Sequence, residues 1–135
     1  MFIKQGGDYQ MSFLHKFLVL IPGIIFLIFG LGWVFAPQAI APNFGMTVFE
    51  GLGLSSQIGD LGSYFLSLSI MIIYAVKTNQ PGWLYPPILM LLLTALFRTL
   101  ATVIHGAPFA LDMIAGEVIF SGMFFYVISQ SKEAA

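Results

Sequence analysis

The sequence predicts an all-α integral membrane protein: a four-helix bundle that uses the whole chain, residues 1–135, as a single domain. Three observations predict it. Four apolar stretches, at about residues 17–36, 58–76, 84–104 and 108–129, each reach the roughly 20 residues that a helix needs to cross a ~30 Å hydrocarbon core. Of the 135 residues, 59% are hydrophobic and only 8% are charged, too few charges to cover the surface of a soluble domain. The connections are short, which leaves no length for a second domain.

The first stretch is almost purely apolar. Pro22 and Gly23 fall in its first turns, where proline is tolerated best. Gly23 and Gly30 share nearly one face and would let another helix approach closely, although glycine is also simply common in membrane helices. Trp33 near one end suits a membrane interface, and Pro37 suits a stop. His15 and Lys16 ahead of an apolar run, with Ala39-Ile40-Ala41 after it, have the look of a cleaved signal peptide. The run exceeds the usual ~7–15 residues of such a segment, so a retained span is the expectation. Met1 and Met11 are both possible starts, and the second would make residues 1–10 a dispensable extension.

The connection 37–57 is the longest. It carries one charge, Glu50, and many apolar residues, so it should lie in the interface or fold back over the bundle, with Phe44 and Phe49 at the outer mouth. The second stretch opens with Ser55-Ser56-Gln57, good helix-starting residues. Asn79-Gln80-Pro81-Gly82 reads as a turn. Pro86 and Pro87 fall in the first turn of the third stretch, where missing N–H groups matter little. His105-Gly106-Ala107-Pro108 is a tight turn into the fourth, and Ser131-Lys132-Glu133 forms a wet tail.

Lys4, Lys16, Lys77 and Lys132 all belong to one side of a four-span topology, and the two loops on the other side contain no Lys or Arg. Both termini should therefore be cytoplasmic and the apolar loop should face outward. The expected compartment is the cell membrane, a bacterial inner membrane.

Arg98 lies inside the third stretch, where a guanidinium needs a partner or water. At ~1.5 Å per residue, Arg98, Glu117, Asp60 and Asp112 all fall in the outer half, with His105 at the turn above them. At about 100° per residue, Thr94, Arg98, Thr102 and His105 share a face of the third stretch. Asp60, Ser63, Tyr64, Ser67 and Tyr74 share a face of the second, and Glu117 and Ser121 one of the fourth; these stripes should face inward. Asp112 points well away from Glu117. The first stretch has no such stripe and should be the most exposed to lipid. Candidate ligand-binding residues are Asp60, Tyr64, Arg98, His105 and Glu117, of which Asp60, Arg98 and Glu117 are also candidate catalytic residues. Arg98 should reach Asp60 or Glu117. Such a pair either only fixes helix register or lines an outward-opening polar cavity.

Several classes are excluded. A net charge of −1 without a basic patch argues against nucleic-acid binding. The absence of cysteine removes disulfides and thiolate chemistry. His15 and His105 lie at opposite membrane faces and cannot share a metal or one haem. No phosphate-cradling glycine loop, HExxH or nucleophile elbow occurs, so no cofactor is expected. The many Phe and Met residues read as packing and lipid contact.

Ile58-Gly59-Asp60-Leu61-Gly62-Ser63-Tyr64-Phe65-Leu66, then Arg98, His105-Gly106 and Glu117, resembles the uncharacterised bacterial membrane family catalogued as domain of unknown function 4345. In that family's pattern the second span starts Arg-Gly-Asp-x-Gly-Gly; here Ile58 and Ser63 replace the first Arg and the last Gly. The resemblance implies a four-helix fold and an Asp/Arg/Glu cluster, with no established activity. The leading functional expectation is an accessory or assembly subunit, or a binder of a lipid-like small molecule, working among membrane lipids as a homo-oligomer or within a larger complex. The alternative is an intramembrane acid–base enzyme, isomerase-like, acting on a hydrophobic substrate.

Overall fold

Ser12 opens the first long helix, α1 (Phe13–Phe35), by accepting the His15 amide on its side-chain oxygen at 3.3 Å. The structure, a computed structural model, describes residues 2–5 and 8–134, and the side chains of residues 11–131. Met1, and the side chains of Lys4 and Lys132 used in the orientation argument, lie outside the described residues. Ahead of α1, strands β1 (Phe2–Gln5) and β2 (Asp8–Met11) pair antiparallel. The Met11 amide donates to Asn79 Oδ1 at 3.3 Å, tying this hairpin to the start of the connection before the third long helix.

Among the described residues, four helical segments are long and apolar enough to cross a membrane: Phe13–Phe35, Gly51–Thr78, Pro81–His105 and Leu111–Ser131. Their outward faces are apolar, with Phe97, Val103 and Ile104 on the third segment and Val118, Ile119 and Phe125 on the fourth all exposed. After α1 the chain breaks at Ala36, and Pro37 starts the short α2 (Pro37–Ile40), which passes into a 3₁₀ turn over Ala41–Phe44. Helix α3 (Gly51–Gln57) then runs through a π-helical turn (Ile58–Gly62) into α4 (Ser63–Thr78). Asn79, in the left-handed region at φ 54°, ends it. A 3₁₀ turn (Pro81–Leu84) leads into α5 (Tyr85–His105), with Pro86 and Pro87 in its first turn as expected. Gly106, at φ 68°, closes α5 and lets the chain turn into α6 (Leu111–Ala134).

Helix α1 packs chiefly on α4, and α5 on α6. Two glycines set the first contact. A Cβ at Gly30 would lie 2.6 Å from Leu66 Cγ and 2.9 Å from the Leu66 backbone nitrogen. One at Gly23 would lie 2.9 Å from Ile72 Cγ2. Ser69 Oγ, buried, donates to the Gly23 carbonyl at 2.8 Å and locks the register.

Several expectations are corrected here. Helix α1 starts ahead of residue 17, so Pro22 lies well inside it rather than in its first turns. The first span is not the most lipid-exposed one: His15, Val19, Phe26 and Trp33 are all buried. In a helix that is almost purely apolar beyond Lys16, small residues and ring packing choose the inward face. Trp33, in the last turn of α1, is fully buried against Phe44. The second long segment begins at Gly51, not at Ser55, because Gln57 clips the chain ahead of it. Its Oε1 accepts the Phe49 amide at 2.8 Å and its Nε2 donates to the Thr47 carbonyl at 3.0 Å. Ser131-Lys132-Glu133, read as a wet tail, continues helix α6.

Candidate functional site

A cavity of about 520 Å³ lies among all four long segments, at the end where α1 finishes and α6 begins. Phe26 and Phe29 of α1 form one wall, and Leu91, Thr94 and Arg98 of α5 another. Helix α6 adds Asp112, Met113, Gly116, Glu117 and Phe120. The π turn and α4 supply Asp60, Leu61, Tyr64 and Phe65. Asn43, Phe44 and Met46, from the segment that follows α1, complete the lining. Phe44 is held there by rings on both sides, its centroid 5.1 Å from Phe29 and 5.1 Å from Phe65. The expectation that this apolar connection folds back over the helices is met by Phe44, Met46 and Val48, which pack on the core, while Phe49 stays exposed.

Four polar side chains of the cavity are joined in two pairs, Arg98 with Glu117 and Tyr64 with Thr94. Arg98 Nε donates to Glu117 Oε1 at 2.9 Å, a charge-assisted bond between α5 and α6. The two side chains are only 25% and 12% exposed. Glu117 Oε2 is buried and has no hydrogen-bond partner among the described residues. One helical turn before Arg98, Thr94 Oγ1 donates to the Met90 carbonyl at 2.8 Å. The Tyr64 hydroxyl and Thr94 Oγ1 share a 2.7 Å hydrogen bond, and the Tyr64 hydroxyl also lies 3.4 Å from the same Met90 carbonyl. The pair ties α4 to α5. Ser121 Oγ donates to the Glu117 carbonyl at 2.7 Å, and Thr102 Oγ1 to that of Arg98 at 3.4 Å. These hydroxyls find their partners within their own helix and need no water.

Of the candidate residues, Asp60, Tyr64, Arg98 and Glu117 line the cavity, and His105 does not; it is exposed at the last turn of α5. Arg98 takes Glu117 as partner and makes no ion pair with Asp60. Asp112, read as pointing away, reaches the same cavity from the first turn of α6. The stripe on the second segment is also corrected: Ser63, Ser67 and Tyr74 are exposed rather than inward. The π turn interrupts the α-helical phase between Asp60 and the residues after it, so a constant rotation per residue no longer applies. The phenylalanines read as packing do pack the core, and Phe26, Phe29, Phe44, Phe65 and Phe120 also border the cavity. The signal available was the spacing of Phe26 and Phe29 beside Gly30, and Phe65 beside Tyr64.

A second hollow of about 540 Å³ lies under the segment held by Gln57 and shares Met46, Asp60 and Leu61 with the first. Asp60 therefore sits between the two. Among the described residues, no group of histidine and acid side chains is arranged to hold a metal ion. Comparison with family models, curated proteins and solved structures found no match, so the family resemblance rests on the motif residues alone.

Proposed function

We propose that this is a multi-pass membrane protein that binds a lipid-like amphiphile inside a four-helix bundle. The cavity carries the reading. Its size lies in the range of small-molecule pockets, roughly 300–1,000 Å³, and its walls are mostly aromatic and aliphatic. Its polar groups converge on Arg98, Glu117, Tyr64 and Thr94, all drawn from helices that hold each other by hydrogen bonds. That is the division an amphiphile needs: an apolar enclosure for the chain and fixed polar groups for the head.

Four long apolar helices with apolar outer faces fit a bilayer. The connections at the cavity end contain no Lys or Arg, whereas Lys16 and Lys77 lie toward the other end. By the positive-inside rule the cavity opens outward and the termini are cytoplasmic, in a bacterial inner membrane. As a binder the protein serves as an accessory or assembly subunit. Its exposed apolar faces are open to lipid, a second copy or another membrane protein. The alternative, an intramembrane acid–base enzyme, draws support from one atom: the unpartnered Oε2 of Glu117, beside a guanidinium that can steady negative charge.

The test is mass spectrometry of organic extracts from protein purified in a neutral detergent, with Gly116→Leu as comparison. Gly116 borders the cavity, and a Cβ there meets nothing within 4 Å. One amphiphile class at stoichiometric amount, lost in Gly116→Leu, supports binding. Only bulk lipid, in membrane proportions and equal in both proteins, overturns it. Conversion of the bound molecule during incubation, abolished by Glu117→Gln, would favour the enzyme.

A further inference from the structure

We infer that the amphiphile held in this cavity carries a positively charged head, an amine or quaternary ammonium, in preference to a carboxylate or phosphate. The inference rests on the proposed amphiphile site and adds the charge of its ligand.

The charged side chains on the cavity wall are one cation, Arg98, and three acids, Asp60, Asp112 and Glu117. The cation already neighbours one of these acids, its Nε donating to Glu117 Oε1. Asp60 and Asp112 have no ion pair among the described residues and are exposed where they border the cavity. An anionic head that reached the remaining N–H groups of Arg98 would lie beside Glu117 and be repelled by it and by two further carboxylates. A cationic head meets the opposite situation. It gains the two unpaired aspartates, and a protonated amine, unlike a quaternary ammonium, also brings N–H groups that can donate to Glu117 Oε2, a buried acceptor without a partner among the described residues.

The apolar wall points the same way. Phe29, Phe44 and Phe65 form one ring cluster, and Tyr64 lies edge-on to Phe65 at 5.2 Å. Aromatic faces attract a cation through their quadrupole and offer an anion nothing comparable. Asp60 itself is carried on the π-helical turn Ile58–Gly62, a geometry found frequently at functional sites. The turn sets Asp60 at the junction of the two hollows, where a head entering from either meets it.

The experiment uses the full chain in alkyl maltoside micelles and four probes with one chain: dodecylamine, dodecyltrimethylammonium, dodecanol and dodecanoate. Binding is read by isothermal titration and by the fluorescence of Trp33, whose ring lies 6.1 Å from that of Phe44. Saturable binding of the two cations, tighter than dodecanol and with dodecanoate weakest, is the expected result. In the variant Asp60→Asn/Asp112→Asn the ratio of cation to alcohol affinity should fall about tenfold, the combined effect of two exposed carboxylates. Dodecanoate binding as tightly as the amines overturns the inference and leaves the amphiphile site standing. Failure of all four probes to bind saturably overturns both. The wild-type comparison decides by itself, so the inference stays open to refutation even if the variant folds poorly.

Discussion

Replacing Arg98 with methionine removes the cation at similar side-chain length and isolates the worth of the Arg98–Glu117 pair. The bond is 2.9 Å long, and the carboxylate side is 12% exposed with its second oxygen already lacking a partner. Two unit charges about 4 Å apart at an effective dielectric of about 20 attract by roughly 4 kcal/mol. Breaking a buried pair from one side typically destabilises by about 3–5 kcal/mol, because the remaining charge stays buried alone. Arg98 is a quarter exposed and the cavity can admit water, so the expected loss lies near the lower end, about 3 kcal/mol. The assay is reversible unfolding in mixed micelles of dodecyl sulfate and a neutral detergent, followed by circular dichroism. Arg98→Met/Glu117→Gln should regain most of the loss. Arg98→Met/Asp60→Asn should regain almost none, since Asp60 makes no ion pair with Arg98. A neutral Arg98→Met, or rescue by Asp60→Asn in place of Glu117→Gln, would refute the reasoning.

Other outcomes follow from single contacts. Gly30→Ala drives a Cβ to 2.9 Å from a backbone nitrogen that cannot move aside, and should destabilise by roughly 1–3 kcal/mol in the same assay. Gly122→Ala, whose Cβ meets nothing within 4 Å, should be neutral or slightly stabilising. Gln57→Ala strands the Phe49 amide and the Thr47 carbonyl, so hydrogen exchange at Phe49 should speed by about tenfold, equivalent to ~1.4 kcal/mol of lost protection; unchanged exchange would mean that Gln57 does not hold this segment. A cysteine at Asn43 should be labelled by impermeant reagents in intact cells, and one at Thr78 should not. The reverse pattern would invert the orientation.

Much of this architecture is legible in the sequence, because hydrophobic length and helix-terminal chemistry are local properties. Four apolar stretches located the four long segments, and Pro86-Pro87 and Gly106 marked their ends correctly. The Arg98–Glu117 pairing followed from depth and the need of a guanidinium for a partner, with only the choice between Asp60 and Glu117 left open. What the sequence concealed depends on long-range packing. Polarity cannot orient α1, so its burial through Trp33, Phe26 and Gly30 had no polar stripe to announce it. The glycines of Gly51-Leu52-Gly53 look like loop, yet the helix begins there, stabilised by Gln57 reaching back to Thr47 and Phe49. The π turn broke the phase on which the inward stripe of Ser63, Ser67 and Tyr74 was counted. His105 illustrates the same limit from the other side. Its helical face matches Arg98, but it lies beyond the depth of the cavity, at the exposed end of α5.

The central claim is that the cavity bordered by Arg98, Glu117 and the phenylalanine cluster holds an amphiphile. A density map of the protein in lipid nanodiscs, at a resolution that shows side chains, addresses it most directly. The account predicts an elongated feature in the cavity, with its polar end among Asp60, Asp112 and Glu117 and its chain against Phe26, Phe29 and Phe120. A cavity closed by side chains, or filled by water alone, would contradict it and leave the Arg98–Glu117 pair as a device for holding α5 against α6.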